Sequence, residues 1–351
     1  MHISPINDPS AWFAKDLETN GKWIYHLNQG EIDDLDNALA VAKAAGRTVA
    51  TVDRKSFPLS VMPAALDKLL DALENGYGVY VIRGLPVEKY SKDDLRLLYW
   101  GLGLNAGTAV CQSHRGDYLG DVKNFGEKID PSRWRAYMSG DQLGFHTDTA
   151  DVVCLFVLRT AKSGGKSMFC SSLAIHDEIA RTRPELLEPL YTPVAWSWMG
   201  QEAPGESPWY MMPVFSIHKG RFSSRNIPNH LHAAQKFPDA PRLPPLWNEA
   251  MDLLHKLAND PKFHFGMMFE AGDLQFLNNH ITYHARTGFE DYPEPERRRH
   301  LLRLWLSVPN SRELSPLMSA IFKDQSSGAV RGGFPSRVDK PVYETVVSNI
   351  N

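Results

Sequence analysis

The stretch GFHTDTADVV, residues 144 to 153, sets His146 two positions before Asp148, with Asp151 three further on. An imidazole and a carboxylate so spaced can serve one metal ion, relay a proton, or sit solvated at a strand end. On a strand the even offset puts 146 and 148 on one face, and the odd offset of five turns Asp151 away. A metal site needs a third ligand from elsewhere among the thirteen histidines. The segment GDLQFLNNHITYHARTGFED offers His280 and His284. On a helix this HxxxH pair would share a face and could hold zinc for hydrolysis. The segment instead reads as a strand, being rich in Phe276, Ile281, Thr282 and Tyr283 and bounded by glycine turns. Ile281 also stands where a hydrolytic zinc site carries its glutamate.

The alternative is two histidines and one carboxylate on one face of an iron(II) ion, with the remaining positions open. One anionic ligand leaves the bound ion positive, able to hold an anionic bidentate cosubstrate and still accept dioxygen. Such a site needs a cosubstrate anchor. The run RRRHLLRLWL supplies Arg299 and Arg303, four apart in a strand-like sequence and therefore on one face. A guanidinium facing inward must find an anion, and a carboxylate gripped by both arms is the natural partner. Arg297 and Arg298 read as a solvated turn.

These residues need elements to carry them. PAALDKLLDALENG, opened by Pro63 and closed by Gly76, has leucines at 66, 69, 70 and 73 in helical spacing. YGVYVIRGL reads as a buried strand, and SKDDLRLLYWGLGL as a helix capped by Ser91. From about residue 105, DVVCLFVLRTA, GGKSMFCSSLAI, YMMPVFSIHKGRF, HFGMMFEAGDLQFLNN and RHLLRLWLSV read as strands. AIHDEIARTRPELLEPL and LPPLWNEAMDLLHKLAN read as helices between them. The expected class is mainly β with flanking helices, in a barrel or double-sheet jelly roll that brings distant strand ends together. No linker divides the 351 residues, so a single domain is expected.

Composition narrows the partners. With 38 basic against 41 acidic side chains and a net charge of -3, nothing points to nucleic acid or an anionic membrane. No apolar run approaches the roughly 20 residues of a membrane span. The N-terminal MHISPINDPSAWF lacks the basic-then-apolar pattern of a signal peptide. Cys111, Cys154 and Cys170 show no CxxC spacing, which argues against a disulfide framework and for a cytoplasmic protein. The expected partner is a small-molecule substrate, with self-association left open.

GFHTDTADVV, SGGKS, FLNNHITYHARTGFED and RHLLRLWL, in that order over about residues 75 to 310, resemble the taurine dioxygenase and clavaminate synthase-like group of iron(II)/2-oxoglutarate-dependent oxygenases. The resemblance implies a double-stranded β-helix, a cupin-like jelly roll. It implies iron(II) held by His146, Asp148 and His284, with His280 outside the ligand set. It places Arg299 on the arginine that binds the far carboxylate of 2-oxoglutarate, and Ser167 on a threonine that hydrogen-bonds the same group. Arg303 falls where the taurine enzyme has an arginine near its acidic substrate, so it serves either a substrate anion or Arg299. Relatives that halogenate lack the carboxylate, so Asp148 implies hydroxylation or another oxidation by the same oxidant, with dioxygen as co-reactant and succinate and carbon dioxide released.

On this reading residues 1–75 form an N-terminal α/β extension, 76–310 the jelly-roll core, and 311–351 a C-terminal tail. The Trp-, Met- and Gly-rich stretch from about 190 to 235 is expected to form a lid, as long irregular insertions often do. Trp198, Trp209 and Arg221 within it, and Gln112, Tyr137 and Arg303 outside it, are the candidate substrate contacts. An anionic group on the substrate would suit the arginines, and an apolar or quaternary ammonium body would suit the aromatics. Two rivals remain: a zinc hydrolase using His280 and His284, and a jelly-roll binding protein without catalysis.

Overall fold

The protein is described here by a computed structural model covering residues 4–126 and 138–345. Helix α1 (Ala14–Thr19) and strand β1 (Ile24–His26) precede α2 (Gln29–Ala44), α3 (Met62–Asn75), β2 (Val79–Arg83) and α4 (Lys92–Ala106). Next come β3 (Thr108–Ala109), β4 (Gly120–Val122), β5 (Leu143–His146), β6 (Val152–Arg159), β7 (Ser163–Gly164) and β8 (Ser167–Ser171). Helices α5 (Ser172–Thr182) and α6 (Leu187–Tyr191) lead to the hairpins β9 (Val194–Ser197) with β10 (Trp209–Met212) and β11 (Phe215–His218) with β12 (Arg221–Ser224). After α7 (Pro228–Ala234) and α8 (Trp247–Ala258) follow β13 (His264–Met267), β14 (Leu274–Asn278), β15 (Thr282–Arg286), β16 (Phe289–Glu290) and β17 (His300–Ser307).

The larger sheet runs β1–β2–β14–β6–β17–β3, with β4 also alongside β17, and the smaller runs β13–β8–β15–β5. Period-two alternation decides what each face meets. On β6, Val153 and Val157 point inward with Val79, Val81, Leu277, Leu301 and Trp305, where they meet Phe169 and Met267 of the smaller sheet. Cys154, Phe156 and Leu158 point the other way, into a core shared with α2, α3 and α4. The outer face of the smaller sheet gives Cys170 and Tyr283 to a third cluster, with Leu173 and Ile175 of α5 and Leu254 of α8. The order of layers is helices, sheet, sheet, helices.

The mainly β class with flanking helices is present, but the barrel expectation is corrected. Among the described residues no ladder joins the two sheets, so they face each other across side chains without closing a ring of hydrogen bonds. The helices of α3 and α4 arise as their sequences require: Pro63 lies in the first turn of α3, and the Ser91 side chain accepts from the Asp94 amide at the start of α4. The sixteen residues of α2 were not anticipated. Their signal was a capping box, in which Asn28 and Glu31 each accept the other's backbone N–H.

The N-terminal segment is more than an appendage. Trp12 and Trp23 are buried between the sheets, and β1 pairs with β2 at the edge of the larger one. The C-terminal segment is likewise tied down. The Thr345 amide donates to Asp121, the Val342 amide donates to the Gly116 carbonyl, and Arg331 is buried against Asp151. The stretch from 190 to 235 is ordered as two hairpins and a helix.

Candidate active site

Strands β5 and β15 lie side by side with His146 directly opposite His284, their ring centroids 4.2 Å apart. A register shift follows His284. Asp148 is not on the strand, as the period-two argument assumed. It lies two residues past the end of β5, where the Thr147 amide donates to the Asn226 carbonyl and the Asp148 amide to Asn279 Oδ1. The loop, not a pleat, returns the carboxylate to its histidine. One ligand atom from each of His146, Asp148 and His284 comes within 4.8 Å of the others.

Their protonation suits a cation. The His146 Nδ1–H donates to the Gly144 carbonyl at 2.9 Å, which fixes the ring orientation. Burial, with His146 beside it, pushes His284 down to about 3, so it is neutral at ordinary pH. Burial alone would raise Asp148, but Arg303, His284, His146 and the Trp305 indole together hold it below the usual carboxylate range. A neutral imidazole at His284 and an ionised carboxylate at Asp148 are the forms in which these groups bind a divalent ion.

A cavity of about 50 Å³ adjoins the triad, lined also by Ser167, Gln275, Arg286 and Arg299. Arg299 is 4% exposed, yet its Nη1 has no partner. Burial and the neighbouring Arg286 push its guanidinium down to about 9. This is a buried cation with an idle donor, its charge only partly offset by Asp291, and the Ser167 hydroxyl, bonded to the Gln275 amide at 3.2 Å, lines the same cavity. Iron(II) with a bidentate acid whose far carboxylate reaches Arg299 fits both the donor set and the orphaned donor. The SGGKS turn approaches closely here. Gly164 and Gly165 have φ of 71° and 70°, and a Cβ on Gly164 would lie 2.2 Å from the Gly288 carbonyl oxygen.

A second cavity, of about 250 Å³, is also lined by His146 and Asp148. Arg303 lines both cavities. Its Nε donates to Gln112 Oε1 at 2.8 Å, and Nη1 lies 3.6 Å from Asp148 Oδ2. Gln112 lines the larger cavity, and its amide also donates to the Arg303 and Tyr118 carbonyls, so it holds Arg303 in place.

The other expected substrate contacts lie elsewhere. Trp198 is buried against Tyr210 and Phe334, and Trp209 packs toward Ala195, Ala234 and Ala240; neither lines the two cavities. Arg221, on β12, donates to Asn75 Oδ1 at 2.6 Å, away from both cavities. Tyr137 lies outside the described residues. From the 190–235 stretch, Met199, Gln201, Ile227, Asn229 and His230 line the larger cavity instead. Hairpin geometry decided that choice, and composition could not.

His280 is not at the metal position. It lies just before β15 with Nε2 2.8 Å from Asp151, whose carboxylate also takes the Arg331 Nε–H. The zinc arrangement of His280 with His284 is therefore absent, and Asp151 does turn away from the triad. Trp305, Gln275 and Phe334 were not foreseen as site residues. Trp305 shares the inward parity of Arg303 on β17, so that signal was available. Phe334 is brought in by the C-terminal segment and left no periodic trace.

The profile described as Taurine catabolism dioxygenase TauD, TfdA family matches residues 44–305. FR-33289 synthase of Streptomyces rubellomurinus is 29% identical over 318 residues, 90% of this chain and 94% of that protein. The taurine hydroxylase-like protein SAT17 of Stachybotrys chartarum is 25% identical over 310 residues, 85% of this chain and 79% of that protein. An asparagine oxygenase solved with Fe(II), 3-hydroxyasparagine and succinate superposes with a TM-score of 0.61 at 16% identity, over 81% of this chain and 93% of that one. The non-heme iron oxygenase OrfP with Fe and alpha-ketoglutaric acid gives 0.59 at 17% identity, over 88% and 99%. The structural likenesses speak for the fold. The profile spans the triad, Ser167, Arg299 and Arg303, and by it the chain belongs to the TauD/TfdA family and is an iron(II)- and 2-oxoglutarate-dependent dioxygenase.

Proposed function

We propose that this dioxygenase hydroxylates a C–H bond of a small polar molecule held in the larger cavity. His146, Asp148 and His284 are the iron ligands, and Arg299 with Ser167 clamps the far carboxylate of 2-oxoglutarate. The supporting observation is convergence: His146 and Asp148 line both a small cavity, where Arg299 Nη1 lacks a partner, and a larger one with room for a second molecule. We also read the two facing sheets as a double-stranded β-helix forming one catalytic domain. The three free, buried cysteines suit a cytoplasmic setting. Among the described residues no helix is long and apolar enough to cross a membrane.

Iron(II), 2-oxoglutarate and dioxygen together supply the oxidant for the C–H bond, with succinate and carbon dioxide released. The chain supplies geometry and charge. Arg299 neutralises and orients the far carboxylate, and Ser167 adds a hydroxyl donor. Asp148 supplies the one anionic ligand, kept ionised chiefly by Arg303. Arg303, steadied by Gln112, presents a cation to the larger cavity and suits a carboxylate, sulfonate or phosphonate on the substrate. The asparagine oxygenase and OrfP were solved with hydroxylated amino acids, and a molecule of that size is the proposed class.

The test is succinate release over a panel of small acids, with product mass checked for one added oxygen. Asp148→Ala should abolish coupled hydroxylation; full succinate production by that variant would remove Asp148 from the ligand set. Anaerobically purified protein should carry iron, and zinc in its place would count against the iron ligand assignment. Substrate-dependent succinate release also separates the enzyme from a jelly-roll binding protein.

A further inference from the structure

We infer that Trp305 is a positioning residue for Asp148, and that the segment Arg331–Phe334, beyond the family-matched region, holds it in place. The inference rests on the reading of Asp148 as an iron ligand. The Trp305 indole N–H donates to Asp148 Oδ2 at 2.8 Å. Asp148 stands on an irregular loop, so no sheet ladder fixes its side chain. A donor seated on one oxygen stops the carboxylate from turning, and so decides how it meets a metal. The indole does this as a neutral group.

The indole is itself held from two sides. The Arg303 guanidinium lies 5.1 Å from its ring centroid, and the Phe334 ring packs on it at 5.9 Å. Phe334 and the residues before it fasten to both the Asp148 loop and the cavity wall. The Arg331 Nε–H donates to Asp151 at 2.9 Å, the Gly333 amide to the Thr149 carbonyl at 2.6 Å, and the Phe334 amide to the Cys111 carbonyl at 2.8 Å. Gly332 and Gly333 adopt φ of 82° and 73°, and a Cβ on Gly333 would lie 2.7 Å from the Cys111 carbonyl oxygen. Only glycine lets the strap pass this close. The strap thus grips residues 149 and 151, while its aromatic tip backs the indole that grips 148.

The experiment uses full-length apo-protein under anaerobic conditions. Iron(II) affinity is read by competition with a fluorescent chelator, and the 2-oxoglutarate charge-transfer band is recorded separately. Trp305→Phe keeps an aromatic ring but removes the pyrrole half of the indole with its N–H. It should weaken iron(II) binding about tenfold, the low end of what outer-sphere partners contribute. The band maximum should move, and apo-protein melting should fall only by the amount expected for a smaller buried ring. Phe334→Ala should weaken iron(II) binding about threefold through a less constrained indole; if Trp305→Phe does not fold, this variant decides the matter. Affinities within measurement error of wild type, with an unmoved band, would overturn the inference and leave the ligand assignment standing. A wild-type chain that binds no iron(II) would overturn both.

Discussion

Arg299 is the residue at which structure and chemistry make the sharpest demand. A buried guanidinium with an idle donor destabilises the ligand-free protein, and an arriving carboxylate removes the defect. Two consequences follow in opposite directions. Arg299→Ala should raise the 2-oxoglutarate KM about 100-fold, the equivalent of about 3 kcal/mol for hydrogen bonds between charged groups. Steady-state succinate release measures it, and an unchanged KM would remove Arg299 from its role. Arg299→Met should meanwhile raise the melting temperature of the ligand-free protein, because an uncompensated charge is gone. At this scale the sequence was informative about residue types: Arg299 and Arg303 both line the small cavity, although Arg299 lies just before β17 and a register shift between His300 and Leu301 breaks the strand parity that paired them. It was less informative about geometry, because Asp148 reaches the site through a loop and Gln112 acts through Arg303.

Among the elements, the turn joining β7 to β8 and the C-terminal strap carry the most consequence. The turn lies against Arg299, a Cβ on Gly165 being only 3.4 Å from its Nε. Gly164→Ala would set a methyl into the Gly288 carbonyl at a backbone conformation that alanine resists. It should lower stability by more than 1 kcal/mol and raise the 2-oxoglutarate requirement as well. Denaturant unfolding and succinate kinetics on one preparation test both, and a loss of stability with unchanged kinetics would detach the turn from the anchor. Within the strap, Arg331 donates to Asp151 and to the Arg312, Gln325 and Ser326 carbonyls. Arg331→Met leaves Asp151 buried beside His280 without its guanidinium, and about 3–5 kcal/mol of stability should be lost. Turn glycines and cap residues could be read locally. The strap could not, because its partners lie some 180 residues earlier, as the Asp151–Arg331 separation shows.

At the scale of the whole molecule, two sheets sandwiched by helices enclose ionisable groups whose protonation is fixed by burial. His280, His284 and His300 are all depressed, burial being the leading cause. Below about pH 6.5 the unfolded chain takes protons that these folded imidazoles refuse, so acid favours unfolding, by up to about 1.4 kcal/mol per histidine per pH unit. Asp121, Asp148 and Asp151 are held low despite burial, so their contribution, present above about pH 4, fades as pH falls further. The metal-free protein should melt progressively lower from pH 6.5 to 4; a flat or rising profile would contradict this. The mainly β class was legible from strand-length apolar runs, and the helices from their periodicity. The separation into two unjoined sheets was not, since alternation specifies faces and not partners.

Anaerobic titration of the apo-protein with iron(II) in the presence of 2-oxoglutarate tests the iron site most directly. The wild-type chain should develop a visible charge-transfer band that saturates at one iron per chain, and His284→Ala should fail to develop it at the same concentrations. A wild-type chain that stays colourless, or a His284→Ala chain that matches it, would contradict an iron site built from His146, Asp148 and His284.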